Sequence, residues 1–203
     1  MDSPTAKDIF FRQPDEEGEY QYFQISTKFL AFLEKKHKLR IIKRLGEGMV
    51  KTGLKAINLG NSKYPKNVVI LITFGGLCEE LKDFNDHMLE LRELQQSKVI
   101  PVKNMMRIYE PIISPYPPTE DKRYCPNTIR ETYTLQIVEF VDKILLEILY
   151  EHRYDTELNK LGIVANICQQ LYIIYDNIDN AGYVYGDVNS DNIGVRNGKL
   201  IYN

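Results

Sequence analysis

Residues 68–74 (VVILITF) form a β-branched, aliphatic run bounded by Pro65 on one side and by Gly75-Gly76 on the other. A run of that length and composition between chain breakers reads as a buried strand lying centrally in a sheet. It is also the longest apolar stretch of the chain, far short of the roughly 20 residues that cross a bilayer. No charged-then-apolar signal segment opens the sequence, so a soluble, intracellular and cytoplasmic protein without a membrane partner is expected. The strand must find its sheet within 203 residues, 43% of them hydrophobic, which suits one domain or two small lobes. Lys and Arg number 26 against 28 Asp and Glu, a formal charge of -2. That balance leaves no cationic excess to neutralise a phosphate backbone, so no nucleic-acid partner is expected.

Around this strand the punctuation is regular. Residues 1–20 hold Pro4, Pro14 and an acidic cluster, and suit a loose leader. Ser26 is a candidate N-cap for a short helix carrying Phe29, Leu30, Phe32 and Leu33. Its basic end, Lys35-Lys36-His37-Lys38, complements the negative helix terminus. That cluster reads as a solvated helix end in preference to a phosphate-binding patch. Residues 39–45 and 53–59 flank Gly46-Glu47-Gly48 and read as a hairpin. Leu77, Leu81, Phe84, Met88 and Leu91 recur at helical spacing, with Glu79, Glu90 and Glu93 on the polar face. Residues 107–113 and 133–140 read as two further strands, separated by a segment holding four of the nine prolines and expected to be a surface insertion. A small helix follows from residue 144, and Leu161, Val164, Cys168, Leu171, Tyr175 and Ile178 mark the buried stripe of a long one that Gly182 stops. The fold class is α+β: an antiparallel sheet joined to a mainly helical part.

Three cysteines and three histidines are scattered without CxxC or ligand spacing, so free thiols are expected, not a zinc centre or a Cys/His nucleophile. The chemistry concentrates instead in residues 183–195, where Asp187 and Asn192 stand five positions apart between the long helix and a short apolar strand. A phosphoryl-transfer loop uses such a pair: the carboxylate orients the attacking hydroxyl, and the amide oxygen helps hold a metal ion on the phosphates. The simpler reading is a polar turn held by side chain to backbone hydrogen bonds.

Read in order, the chain resembles the protein-kinase superfamily over residues 39–203: a Gly-rich hairpin, a buried third strand, a helix with a flanking Glu, a hinge, a long helix and a catalytic loop. The resemblance implies a bilobal kinase-like fold with an antiparallel-sheet N-lobe over residues 39–141 and a truncated, mainly helical C-lobe over 142–203, after an N-terminal extension of residues 1–38 with its short helix. Tyr185-Gly186-Asp187 stands where the family usually has His-Arg-Asp, which implies Asp187 as the catalytic carboxylate and Asn192 as a magnesium ligand. Residues 135–141 (LQIVEFV) are similar to the fifth strand and hinge. The implied nucleotide site holds ATP with Mg²⁺ between Gly46 and Gly48 on one side and Glu139 and Val141 on the other.

Several positions depart from that pattern. Residues 70–72, where the ATP-pairing lysine of the third strand belongs, are aliphatic, so Lys66 or Lys55 would have to take its place. Asn189 replaces the usual catalytic-loop lysine, which removes a charge from the transferred phosphoryl group. Glu90 matches the helix glutamate by its spacing to Leu94, and Glu80 lies nearer the apolar stripe. The chain stops at or just before the position of the main metal-binding Asp, as expected of a fragment or a reduced module. Gly186-Asp187 is also similar to the aminoglycoside and choline kinase branch. Three functions follow from the resemblance: a Ser/Thr protein kinase acting on a protein substrate, a pseudokinase binding a protein partner, and a small-molecule kinase.

Overall fold

The structure, a computed structural model, describes residues 10–14, 20–47, 51–73, 86, 89–98, 105–120, 133–180, 182, 190 and 192–202. It combines α and β, with an antiparallel sheet and helices, and divides into two units: residues 1–90 with 108–140, and residues 91–107 with 141–203.

The first unit is built on a five-stranded antiparallel sheet. Strands β3 (Leu39–Glu47), β4 (Lys51–Asn58) and β5 (Asn67–Thr73) follow one another in sequence and in space, while β6 (Ile112–Ser114) takes the far edge and β7 (Tyr133–Glu139) lies between it and β5. The run therefore is central over its described residues 68–73, as its composition requires: Val68, Ile70 and Ile72 are buried on one face, Val69 and Leu71 on the other.

The first face carries the larger core. Leu54, Ala56, Val68, Ile70, Ile72, Leu135 and Ile137 cluster with Ile25, Phe29, Phe32 and Leu33 of the preceding segment. Ser26 is the N-cap residue of α1 (Thr27–Phe32), but its hydroxyl donates to Glu120 Oε1 at 3.2 Å and does not cap the helix. A single π turn, Leu33–His37, continues α1 until Lys38 adopts a left-handed φ of 59°. The Lys38 carbonyl accepts from the Leu59 N–H at 2.6 Å, and the Asn61 side chain donates to the His37 carbonyl at 3.0 Å, so the helix end is tied to the β4–β5 connection.

Three expectations change here. The leader is not loose throughout, because β1 (Phe10–Pro14) and β2 (Tyr20–Gln24) pair antiparallel; five aromatic residues in ten give these segments strand propensity that prolines and acidic neighbours conceal. The Pro-rich segment is not a free surface insertion over its described part. Pro118 and Thr119 are buried, and the Pro118 carbonyl accepts from the Ser26 N–H at 2.8 Å. The strand expected at 107–113 reduces to β6 and an isolated bridge at Ile108, since Pro111 offers no N–H for a ladder. Most of the helix expected from Leu77 lies outside the described residues; residues 89–96 are helical and form α2 as described.

In the second unit, β8 (Lys143–Ile144), β9 (Ile193–Arg196) and β10 (Lys199–Tyr202) form a small sheet in the order β10-β9-β8. Helices α3 (Leu145–Glu151) and α4 (Glu157–Asp179) pack on it through Leu145, Ile174, Ile178, Ile193, Leu200 and Tyr202. Thr156 caps α4, its hydroxyl accepting from the Asn159 N–H at 3.4 Å. The stripe expected on α4 is largely turned outward. Leu161 is 65% and Val164 50% exposed, and Cys168 is exposed; the buried side is Ile174 and Ile178, with Ile167 and Leu171 packed beside them. α4 is apolar on more than one side, so periodicity alone left its inward face ambiguous. No described helix is long and apolar enough to cross a membrane.

Candidate functional site

The second face of the five-stranded sheet carries the residues of interest. Cross-strand register places Gly53 opposite Leu71, Lys55 opposite Val69, and Val69 opposite Val138. Directly paired residues share a face, so Gly53, Lys55, Val69, Leu71 and Val138 line one surface. A Cβ added at Gly53 would lie 3.5 Å from a Val69 methyl, which confirms that placement. Val138 leads through Glu139 into Phe140, and the first unit ends there.

Lys55 reaches along this surface. Its ammonium lies 3.7 Å from the centroid of the Phe140 ring, a cation–π contact linking the second strand of the hairpin to the residue after β7. Lys66 is placed differently. It is exposed in the turn before β5, its carbonyl accepting from the Asn58 N–H at 2.8 Å. It stands five positions before Leu71, about 17 Å along the sheet. Of the two lysines weighed as substitutes, the structure brings only Lys55 onto the face beside Val69 and Val138.

Gly46 pairs with Gly53 near the tip of the hairpin. A Cβ there would meet nothing within 4 Å, and its φ is not positive. Neither packing nor backbone conformation among the described residues demands glycine at this position. Gly48 lies outside the described residues, as do Glu80, Asp187 and Asn189. Glu90 is exposed, Glu139 and Val141 are half-buried, and Asn192 is half-buried immediately before β9.

The segment bearing Asn192 is anchored on both sides. The Ser190 carbonyl accepts from the Leu146 N–H at the start of α3, at 3.2 Å. Beyond Asn192, β9 turns into β10 through Asn197 (φ 52°) and Gly198 (φ 73°), a two-residue loop between paired Arg196 and Lys199. Two consecutive left-handed residues are what a tight hairpin needs, and Asn-Gly supplies them at least cost. That dipeptide was the missed signal in the sequence: it announces a hairpin after the candidate loop, where a single short strand was expected. The Leu200 N–H donates to Gln170 Oε1 at 2.7 Å, fastening the hairpin to α4.

A Mg²⁺ ion takes an octahedron of oxygen ligands. Asn192 can offer one amide oxygen, and the Asp187 carboxylate paired with it by the resemblance falls outside the described residues. Compared with protein families and with characterised proteins, the chain matches none.

Proposed function

We propose that this chain is a protein-kinase-like module, bilobal in the sense that residues 39–141 and 142–203 form its two lobes, and that it transfers the γ-phosphoryl group of ATP to a Ser/Thr hydroxyl of a protein. The observation that carries the reading is Lys55. It occupies the sheet face that also bears Val69 and Val138, where the aliphatic third strand offers no cation, and it leads toward the hinge through Phe140. Gly46, free of any packing or backbone requirement for glycine, suits a position where backbone N–H groups approach phosphate. Asp187 would take the proton of the acceptor hydroxyl as its oxygen attacks the γ-phosphorus and ADP leaves. Asn192 would bind the metal, whose role when bound is to neutralise phosphate charge.

Transfer of labelled phosphate from ATP to a peptide library tests this, with wild type beside Asp187→Ala. Loss of labelling in the variant supports the assigned role, and equal labelling from both rejects it. The second reading, a pseudokinase that binds a protein partner, is favoured by the absence of lysine from β5. Binding of Mg-ATP must raise Tm by mass action, so an unchanged Tm at millimolar Mg-ATP selects the binding module. A small-molecule kinase would label amino alcohols or sugars in place of peptides.

A further inference from the structure

The basic cluster that closes the first helix lines a groove. Between α1 with its π turn and the segment 116–120 lies a cavity of about 600 Å³, walled by Lys28, Ala31, Phe32, Lys35 and Lys36 on one side and by Tyr116, Pro117 and Glu120 on the other. The helix residues recur at steps of three and four, so they share one face. Phe32 and Tyr116 meet edge to face at 5.9 Å between ring centroids and form an aromatic floor. Lys36 lies over the Phe32 ring at 5.4 Å. Among the described residues Lys28, Lys35 and Lys36 make no ion pair with a carboxylate, so three positive charges stand over one apolar trough.

We propose that this groove docks an acidic, extended protein segment carrying a bulky apolar side chain. The lysines supply charge complementarity to carboxylates, and the Phe32–Tyr116–Pro117 floor takes the apolar side chain. The far wall distinguishes a peptide from a nucleic acid. Glu120 faces the groove with a carboxylate that already accepts from the Ser26 hydroxyl; a phosphate backbone offers only acceptors there, whereas a peptide brings N–H donors. The formal charge of -2 argues in the same direction, since the basic patch is local to this groove and not a property of the whole chain. None of these residues belongs to the proposed nucleotide site, so the two readings stand or fall separately.

Fluorescence anisotropy tests the proposal on the full chain, with a fluorescein-labelled peptide of alternating Asp and Glu around one central Phe as the probe. The expected result is saturable binding that weakens about tenfold or more in the Lys28→Glu/Lys35→Glu/Lys36→Glu variant and with rising NaCl, and that is unchanged in Lys43→Glu. Circular dichroism establishes that each variant is folded, and Lys28→Gln/Lys35→Gln, which is milder, serves if the triple reversal is not. A peptide with Asn and Gln in place of the acids should not bind, and replacing the Phe by Gly should weaken binding. The proposal is overturned by the absence of saturable binding to wild type, by equal binding of the neutral peptide, or by insensitivity to the lysine substitutions. Tighter lysine-dependent binding of a single-stranded oligonucleotide or of phosphatidylserine vesicles would also overturn it.

Discussion

The ammonium of Lys55 stands 3.7 Å from the centre of the Phe140 ring, two strands away in the sheet. Lys55 is half-exposed, and cation–π pairs in such settings contribute about 0.5–1 kcal/mol. Lys55→Met is expected to lower the unfolding free energy by about that amount in urea titration, with Lys55→Arg retaining most of it. If Lys55 also meets nucleotide, Lys55→Met abolishes the Tm increase caused by Mg-ATP while Lys66→Met leaves it intact. An equal response in both variants removes Lys55 from the proposed site.

Thr52 offers a second test. It is fully buried in β4, and its hydroxyl has no hydrogen-bond partner among the described residues. A buried polar group without a partner costs about 1–3 kcal/mol, and an apolar residue of the same shape removes that cost. Thr52→Val should therefore raise stability by about 1 kcal/mol, read as a higher urea midpoint at unchanged slope. A loss of stability would mean that the hydroxyl is engaged.

His37 sets a pH dependence. Burial holds its pKa below the ordinary imidazole value, with Lys36 and Lys63 adding to the effect and Glu110 opposing it. Its Nε2 is buried without a partner among the described residues, and its ring meets Phe32 edge to face at 5.1 Å. The unfolded chain therefore binds the proton more readily than the folded one. Stability contributed by neutral His37 is complete above about pH 6.5 and declines as pH falls from there toward the lower folded value. Tm measured down this window should fall less steeply in His37→Gln than in wild type. Glu34, held below the ordinary carboxylate value first by its hydrogen bond from Arg40, acts in a lower window and does not mimic the effect.

The orientation of α4 is tested by a pair of truncations. Ile174→Ala removes a side chain that is 2% exposed, and should cost about 2–5 kcal/mol. Leu161→Ala removes one that is 65% exposed, and should change stability by no more than about 0.5 kcal/mol. Urea titration of both variants reads the difference; the reverse ranking would place Leu161 inward.

Particular residues show how far the sequence reached. The strand beginning near Val68, the hairpin around Gly46 and the helix beginning after Ser26 were legible because each carries a local signature: β-branched composition, flanking glycines, a cap residue before apolar spacing. The inward face of α4 was not, because Leu161, Val164 and Tyr175 are as apolar as Ile167, Leu171 and Ile174, and only the position of β9 and β10 decides between the two sides. Ser26 shows the same limit on a smaller scale. Its place as N-cap residue could be read from the sequence, but its hydroxyl turns to Glu120, 94 positions later.

For the candidate site, the residue types and their order lie in the sequence alone: the glycine turn, the absence of lysine from residues 70–72, and Asp187 with Asn192 after a long helix. Which of Lys55 and Lys66 lies beside Val69 and Val138 required the sheet. Side chains alternate across a strand, so register determines which lysine shares a face with Val69 and Val138, and register is a property of paired strands that neither strand specifies by itself. The groove beside Lys35 and Lys36 likewise arises when residues 116–120 fold back against α1, converting a charged helix end into one wall of a cavity.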